Sequence, residues 1–181
     1  MNVATVDGVP VEVEEIDARE AQLRAALLAA SLPRPGTSEG RQLRRWLTQL
    51  LVTERVVAAE ARVAGLSADG APTEVDLLPD TVTRLEIGSV AASVLADPLA
   101  RAVFASVTAD VDVTAEDVAS YRERNPLRFK DADAVADHLR GAARRRAFRR
   151  WLDARCAAVV ELAPGYEHPG DPRQPDNTHR H

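Results

Sequence analysis

Val3-Ala4-Thr5-Val6-Asp7-Gly8-Val9-Pro10-Val11-Glu12-Val13 decides the fold class. Two valine-rich runs flank Asp-Gly, the two-residue turn whose backbone twist suits antiparallel strands, so the stretch predicts a β-hairpin. Pro10 has no N–H to donate, which confines the second strand to an edge or to an early position. A third strand is expected at residues 159–162, beside the hairpin. The rest of the ordered chain has helical periodicity. The expected fold is therefore mainly α, with a small β element where the hairpin and the C-terminal strand meet.

Working outward, residues 14–31 carry Ile16, Leu23 and Leu27 at near-helical spacing until Pro33-Arg34-Pro35-Gly36 breaks the pattern. A long helix is expected over 38–64, with Trp46, Leu47, Leu50, Leu51 and Val57 as its apolar stripe. Gly65-Leu66 supplies its stop, glycine at C′ and an apolar residue at C″. Residues 67–79 read as a polar connection and 81–95 as a further helix. Asp97-Pro98 opens the next, with aspartate as N-cap and proline at the first helical position. Thr114-Ala115-Glu116-Asp117 is a capping box with Asp in place of Glu or Gln, and Asn125-Pro126 ends the helix that it starts. The last helix, over 133–158, carries Val135, Leu139, Phe148 and Leu152.

Composition narrows the classes. Hydrophobic residues make up 45% of the 181 but aromatic ones only 4%, so the core is aliphatic, which favours packed helices. A net charge of −5 argues against nucleic acid or an anionic membrane as the main partner. No run approaches the ~20 apolar residues of a membrane span. The single Cys156 excludes an internal disulfide framework and a thiolate-rich zinc site. Residues 1–8 show no basic n-region or long apolar h-region, so the expected location is cytoplasmic. Lys130 is the only lysine among many arginines, a bias matching a high-GC, actinobacterial genome.

The order of elements, with Val6-Asp7-Gly8-Val9-Pro10-Val11, then residues 50–61 ending at Gly65-Leu66, then Val113-Thr114-Ala115-Glu116-Asp117-Val118 followed by Tyr121 and Asn125-Pro126-Leu127-Arg128-Phe129, resembles the N-terminal chaperone domain of SurA-type, parvulin-linked folding factors. The resemblance spans most of residues 1–162. It implies a helical, peptide-binding cradle with a small β element. It implies no isomerase activity, because Phe129-Lys130-Asp131 runs straight into the last helix where that family commonly places its parvulin domain. Residues 163–181 form a separate Pro/His-rich tail outside the pattern.

That tail holds three of the four histidines among carboxylates. His179 and His181 are two apart, so in an extended segment both imidazoles face one side, and Asp176 or His168 can close a third position. The metal-ligand set is thus His168, His179, His181 and Asp176, for a divalent ion such as zinc or iron. A disordered tail and a metal-free lid over a pocket are the other two readings. Gly36-Thr37-Ser38-Glu39-Gly40 matches the G-x-S-x-G string of nucleophile elbows, but Pro33-Arg34-Pro35 before it is no strand, so Ser38 is expected as a helix N-cap. Seven arginines crowd residues 140–155, and their spacing to Asp137 and Asp153 suits ion pairs on a solvated face. Arg145 and Arg149 are the candidates for holding a carboxylate or phosphate group, and Tyr121, a residue more often found in cores, is the third ligand-binding candidate. His138 is expected to be structural or exposed.

Two functions follow as expectations. One is a chaperone-like binding protein whose helical cradle holds a peptide or a small apolar ligand beneath the tail. The other is a small metal-assisted enzyme of actinobacterial specialised metabolism that uses the tail cluster.

Overall fold

The structure, a computed structural model, describes residues 1–26 and 29–173. Strands β1 (Asn2–Val6) and β2 (Val9–Glu12) lead into α1 (Val13–Ala26) and α2 (Ser38–Val63). Then come α3 (Glu74–Leu77), α4 (Thr81–Ile87), α5 (Ser89–Val94), α6 (Pro98–Val107), α7 (Ala115–Arg124), the long α8 (Ala132–Val159) and β3 (Val160–Leu162). The fold is mainly α with one small antiparallel sheet, as the hairpin and the closing strand predict. Among the described residues no helix is long and apolar enough to cross a membrane.

The chain forms two compact units. A sheet unit comprises Met1–Ala59 and the chain from Arg155 on; a helical unit comprises Glu60–Ala154. Helices α2 and α8 each run from one unit into the other.

In the sheet unit the strand order is β2-β1-β3. Val6 pairs with Val9 across the turn and with Val160 on the other side. Asp7 and Gly8 have φ of 51° and 77°, the two left-handed residues that a type I′ hairpin needs. Val3, Val6 and Val11 close over Ile16 of α1 and Leu47, Val52 and Val56 of α2. Each such aliphatic side chain, fully removed from water, contributes roughly 1.5–3 kcal/mol, and this cluster holds the short strands together.

Helix ends follow local chemistry. At the end of α2 the Leu66 N–H donates to Ala61 O (2.8 Å) and the Gly65 N–H to Arg62 O (3.3 Å), with Gly65 at φ 64°, which is the Schellman pattern. Asp97 caps α6 and Thr114 with Asp117 boxes α7. Three expectations need correction. The α2 cap is Thr37 rather than Ser38: the Thr37 hydroxyl accepts the Gly40 N–H at 3.0 Å and donates to Arg34 O at 2.7 Å. The connection over 67–79 contains α3, opened by a capping box of Thr73 and Asp76. The helix over 81–95 is two helices, because Gly88 takes φ 92° and ψ 152°, a conformation open to glycine alone.

Candidate functional site

Within the helical unit, three segments converge on a half-open cavity of about 850 Å³. Helix α8 contributes His138, Ala142, Arg145 and Arg149, spaced four, three and four apart, which sets them along one helical face. Leu139, Arg146 and Arg150 form the adjacent row. Helix α4 adds Val82, Glu86 and Ile87, with Asp80 at its N-terminus, and α7 with the loop after it adds Tyr121 and Arg128. Arg145, Arg149 and Tyr121, the three ligand-contact candidates, all line this one cavity.

The two central arginines differ in how they are held. Arg149 Nη1 donates to Ile87 O, the last carbonyl of α4, at 2.7 Å, and Nε donates to Asp153 Oδ1 at 3.0 Å. A Cβ on Gly88 would collide with this guanidinium, so the glycine both breaks the helix and admits Arg149 to the carbonyl. Arg145 is only 8% exposed. Its Nη1 reaches Leu77 O at 3.2 Å, its Nε is buried with no partner, and no carboxylate among the described residues lies within ion-pair distance. Burial pushes its pKa down, while Glu86 and Asp80 at longer range act in the opposite direction. Gly141, one turn earlier, leaves room for the Arg145 guanidinium: a Cβ there would sit 3.2 Å from Nη1. That gives a reason for a mid-helix glycine that otherwise costs about 1 kcal/mol.

At the cavity's other end His138 packs with Tyr121 and Phe129, ring centroids 5.7 and 4.9 Å away. Arg128 donates to the Tyr121 hydroxyl at 2.7 Å and lies over the Phe129 ring at 5.5 Å. Burial, then the charges of Arg128 and Arg145, hold the His138 pKa below its ordinary value. Asp80 is already engaged as the α4 cap: its carboxylate accepts the Thr83 N–H at 2.8 Å, which lowers its pKa. Chemically the cavity joins an apolar wall to a positive field around one desolvated guanidinium.

His138, expected to be structural or exposed, is half-buried against Tyr121 and Phe129 and also lines the cavity, on the same face of α8 as Arg145 seven residues on. Asp80 and Glu86 lie far from α8 in sequence, and Arg128, though only a few residues before it, sits in the preceding loop; nothing local marks any of the three as sharing a cavity with its arginines.

The tail gives a different picture. Ala163 N–H donates to Val3 O at 2.9 Å, Arg45 Nε to Gly165 O at 3.0 Å, and Tyr166 packs against the sheet unit's core. Glu167 accepts the Gly165 N–H, and Asp171 pairs with Arg173 at 2.8 Å, which pulls the aspartate pKa down to about 2. His168 Nδ1 accepts the Gly170 N–H at 2.9 Å, so a neutral His168 carries its proton on Nε2. For Nε2 to ligate a metal, that hydrogen bond would have to give way. Asp176, His179 and His181 lie outside the described residues. Among the described residues no group of three His, Cys, Asp or Glu side chains is placed to hold a metal ion.

Residues 2–39 are similar to a family of unknown function (DUF7158); the match covers the hairpin, α1 and the start of α2, all in the sheet unit, and includes none of the residues that line the cavity. No curated protein and no solved structure matches the chain.

Proposed function

We infer that the protein is a non-catalytic, chaperone-like binding module, working in the cytoplasm, whose helical unit holds a peptide segment or a small apolar ligand. The observation that carries this reading is the cavity itself: half-open, about 850 Å³, walled by Val82, Ile87, Leu139 and Ala142, with a few polar groups converging on it. Concave sites of this size and composition are the usual form of ligand pockets. The resemblance to SurA-type chaperone domains points to the same class and remains a matter of fold-level analogy.

The cavity-filling variant Ala142→Trp tests it. Wild-type protein should bind members of a library of short apolar peptides and slow the aggregation of a reduced client protein. Ala142→Trp should lose both while keeping its melting transition. Equal binding by both proteins would remove the cavity from the function. A metal-assisted enzyme built on His168, Asp176, His179 and His181 is the competing proposal. Stoichiometric zinc or iron in untagged protein, lost in the His179→Ala, His181→Ala double variant, would install it instead.

A further inference from the structure

We propose that the cavity's ligand is a monoanionic carboxylate with an apolar body, its carboxylate paired with Arg145; this rests on the binding reading above. Arg145 is nine-tenths buried, yet its protein partner is a single neutral carbonyl, Leu77 O, and its Nε has none. A buried cation without a counter-ion carries an unrelieved desolvation cost, which an incoming anion removes. The planar guanidinium suits the paired oxygens of a carboxylate.

Three features limit the class further. Arg128, Arg146 and Arg150 also line the cavity and are exposed, with no ion pair among the described residues, so they draw anions in while water screens them. Only Arg145 among the lining arginines is buried, and one such charge matches one negative charge. Glu86 and the capping carboxylate of Asp80 face the same space and oppose a dianion. Val82, Ile87, Leu139 and Ala142 then provide the surface for an alkyl or aliphatic side chain.

Calorimetric titration of the full chain with octanoate, 1-octanol and octyl phosphate tests the proposal. Octanoate should bind roughly tenfold or more tightly than octanol, the discrimination expected of one charge-assisted contact. Arg145→Met, which keeps an unbranched apolar stem and removes the guanidinium, should abolish that preference. Should Arg145→Met not fold, the wild type still decides: saturating octanoate should raise the NMR titration midpoint of His138, and octanol should not. A pentapeptide ending in leucine, as free acid and as amide, separates the two sources of the chemistry. A matching preference for the free acid assigns the site to peptide C-termini, and a preference confined to octanoate assigns it to free acids.

Equal binding of octanoate and octanol, both lost in Ala142→Trp, would overturn the carboxylate and leave the binding module standing. Octyl phosphate binding well above octanoate would overturn it in favour of a dianion. No binding of any probe or peptide at millimolar concentration would overturn both.

Discussion

Glu20 in the sheet unit and Arg145 in the helical unit are each 8% exposed, and the two units treat these buried charges in opposite ways. Glu20 accepts from Arg24 at 2.6 and 2.9 Å and from Arg44 at 2.9 Å. The two arginines in turn reach Pro33 O and Asp17. Burial pushes the Glu20 pKa up, but the paired guanidinium groups outweigh it and the net shift is downward. That network is closed. Arg145 has one long bond to a neutral carbonyl and an orphaned Nε, so its network is open. Equal burial therefore does not imply equal purpose: a satisfied charge is a structural rivet, whereas an unsatisfied one lining a cavity is where a ligand gains most.

The largest expected effect comes from breaking the closed network. Glu20→Gln leaves Arg24 and Arg44 without their shared carboxylate and should cost about 3 kcal/mol, the low end for a buried pair because both arginines keep some contact with water. Arg145→Met should change stability by no more than about 1 kcal/mol, since the lost carbonyl bond is offset by removal of an unpaired buried charge. Urea denaturation of both variants reads the difference. If Arg145→Met costs as much as Glu20→Gln, the two sites are not different in kind and Arg145 is a rivet too.

Gly88→Ala sharpens the comparison from the neighbouring arginine. Arg149, unlike Arg145, is closed by Ile87 O and Asp153. An alanine at φ 92° and ψ 152° is strained by roughly 1–3 kcal/mol, and its Cβ would displace the Arg149 guanidinium from the carbonyl. The expected result is lower thermal stability, with a further loss on adding Arg149→Met that is smaller than the loss Arg149→Met causes alone. Full additivity would show that glycine and arginine act separately.

How much of this was legible depends on range. The hairpin, the Gly65 stop and the caps at Asp97 and Thr114 are short-range chemistry, and the sequence carries them whole. The capping box at Thr73 has the same Thr-x-x-Asp form as the one at Thr114, but α3 spans only Glu74–Leu77, too short to show a period. The break at Gly88 was hidden for another reason. A lone glycine inside a helical pattern is tolerable, and what this one serves, the bond from Arg149 to the Ile87 carbonyl, spans 62 residues. Likewise Arg145, Arg149 and Tyr121 were visible as candidates because arginine and tyrosine advertise their chemistry. That Arg145 is open and Arg149 closed depends on which carbonyls and carboxylates three distant helices bring to them.

The capping threonines give the control in which the two units should agree. Thr37 caps α2 in the sheet unit and Thr114 caps α7 in the helical unit, each accepting one N–H three residues on. Thr37→Ala and Thr114→Ala should each cost roughly 0.5–2 kcal/mol, with Thr37→Ala costlier than Ser38→Ala. Similar losses would place the difference between the units in their charges alone. A larger loss for Ser38→Ala would return the α2 cap to Ser38.

The smallest expected effect is the pH dependence contributed by His138, which reports the positive field that an open Arg145 leaves behind. Burial and the charges of Arg128 and Arg145 depress its pKa, and Glu86 and Asp80 only partly compensate. The folded state therefore holds the neutral imidazole more firmly than the unfolded chain does. The sign follows from linkage: this contribution is fully present above the unfolded value of about 6.5 and is lost as pH falls through the lower folded value. Wild-type stability should thus decline on acidification below about pH 6.5, and His138→Gln should flatten that part of the profile. Arg145→Met should move the His138 midpoint upward, because one source of the field is gone. A midpoint that ignores Arg145→Met would mean that the guanidinium charge is already neutralised inside the protein, and the contrast with Glu20 would fall with it.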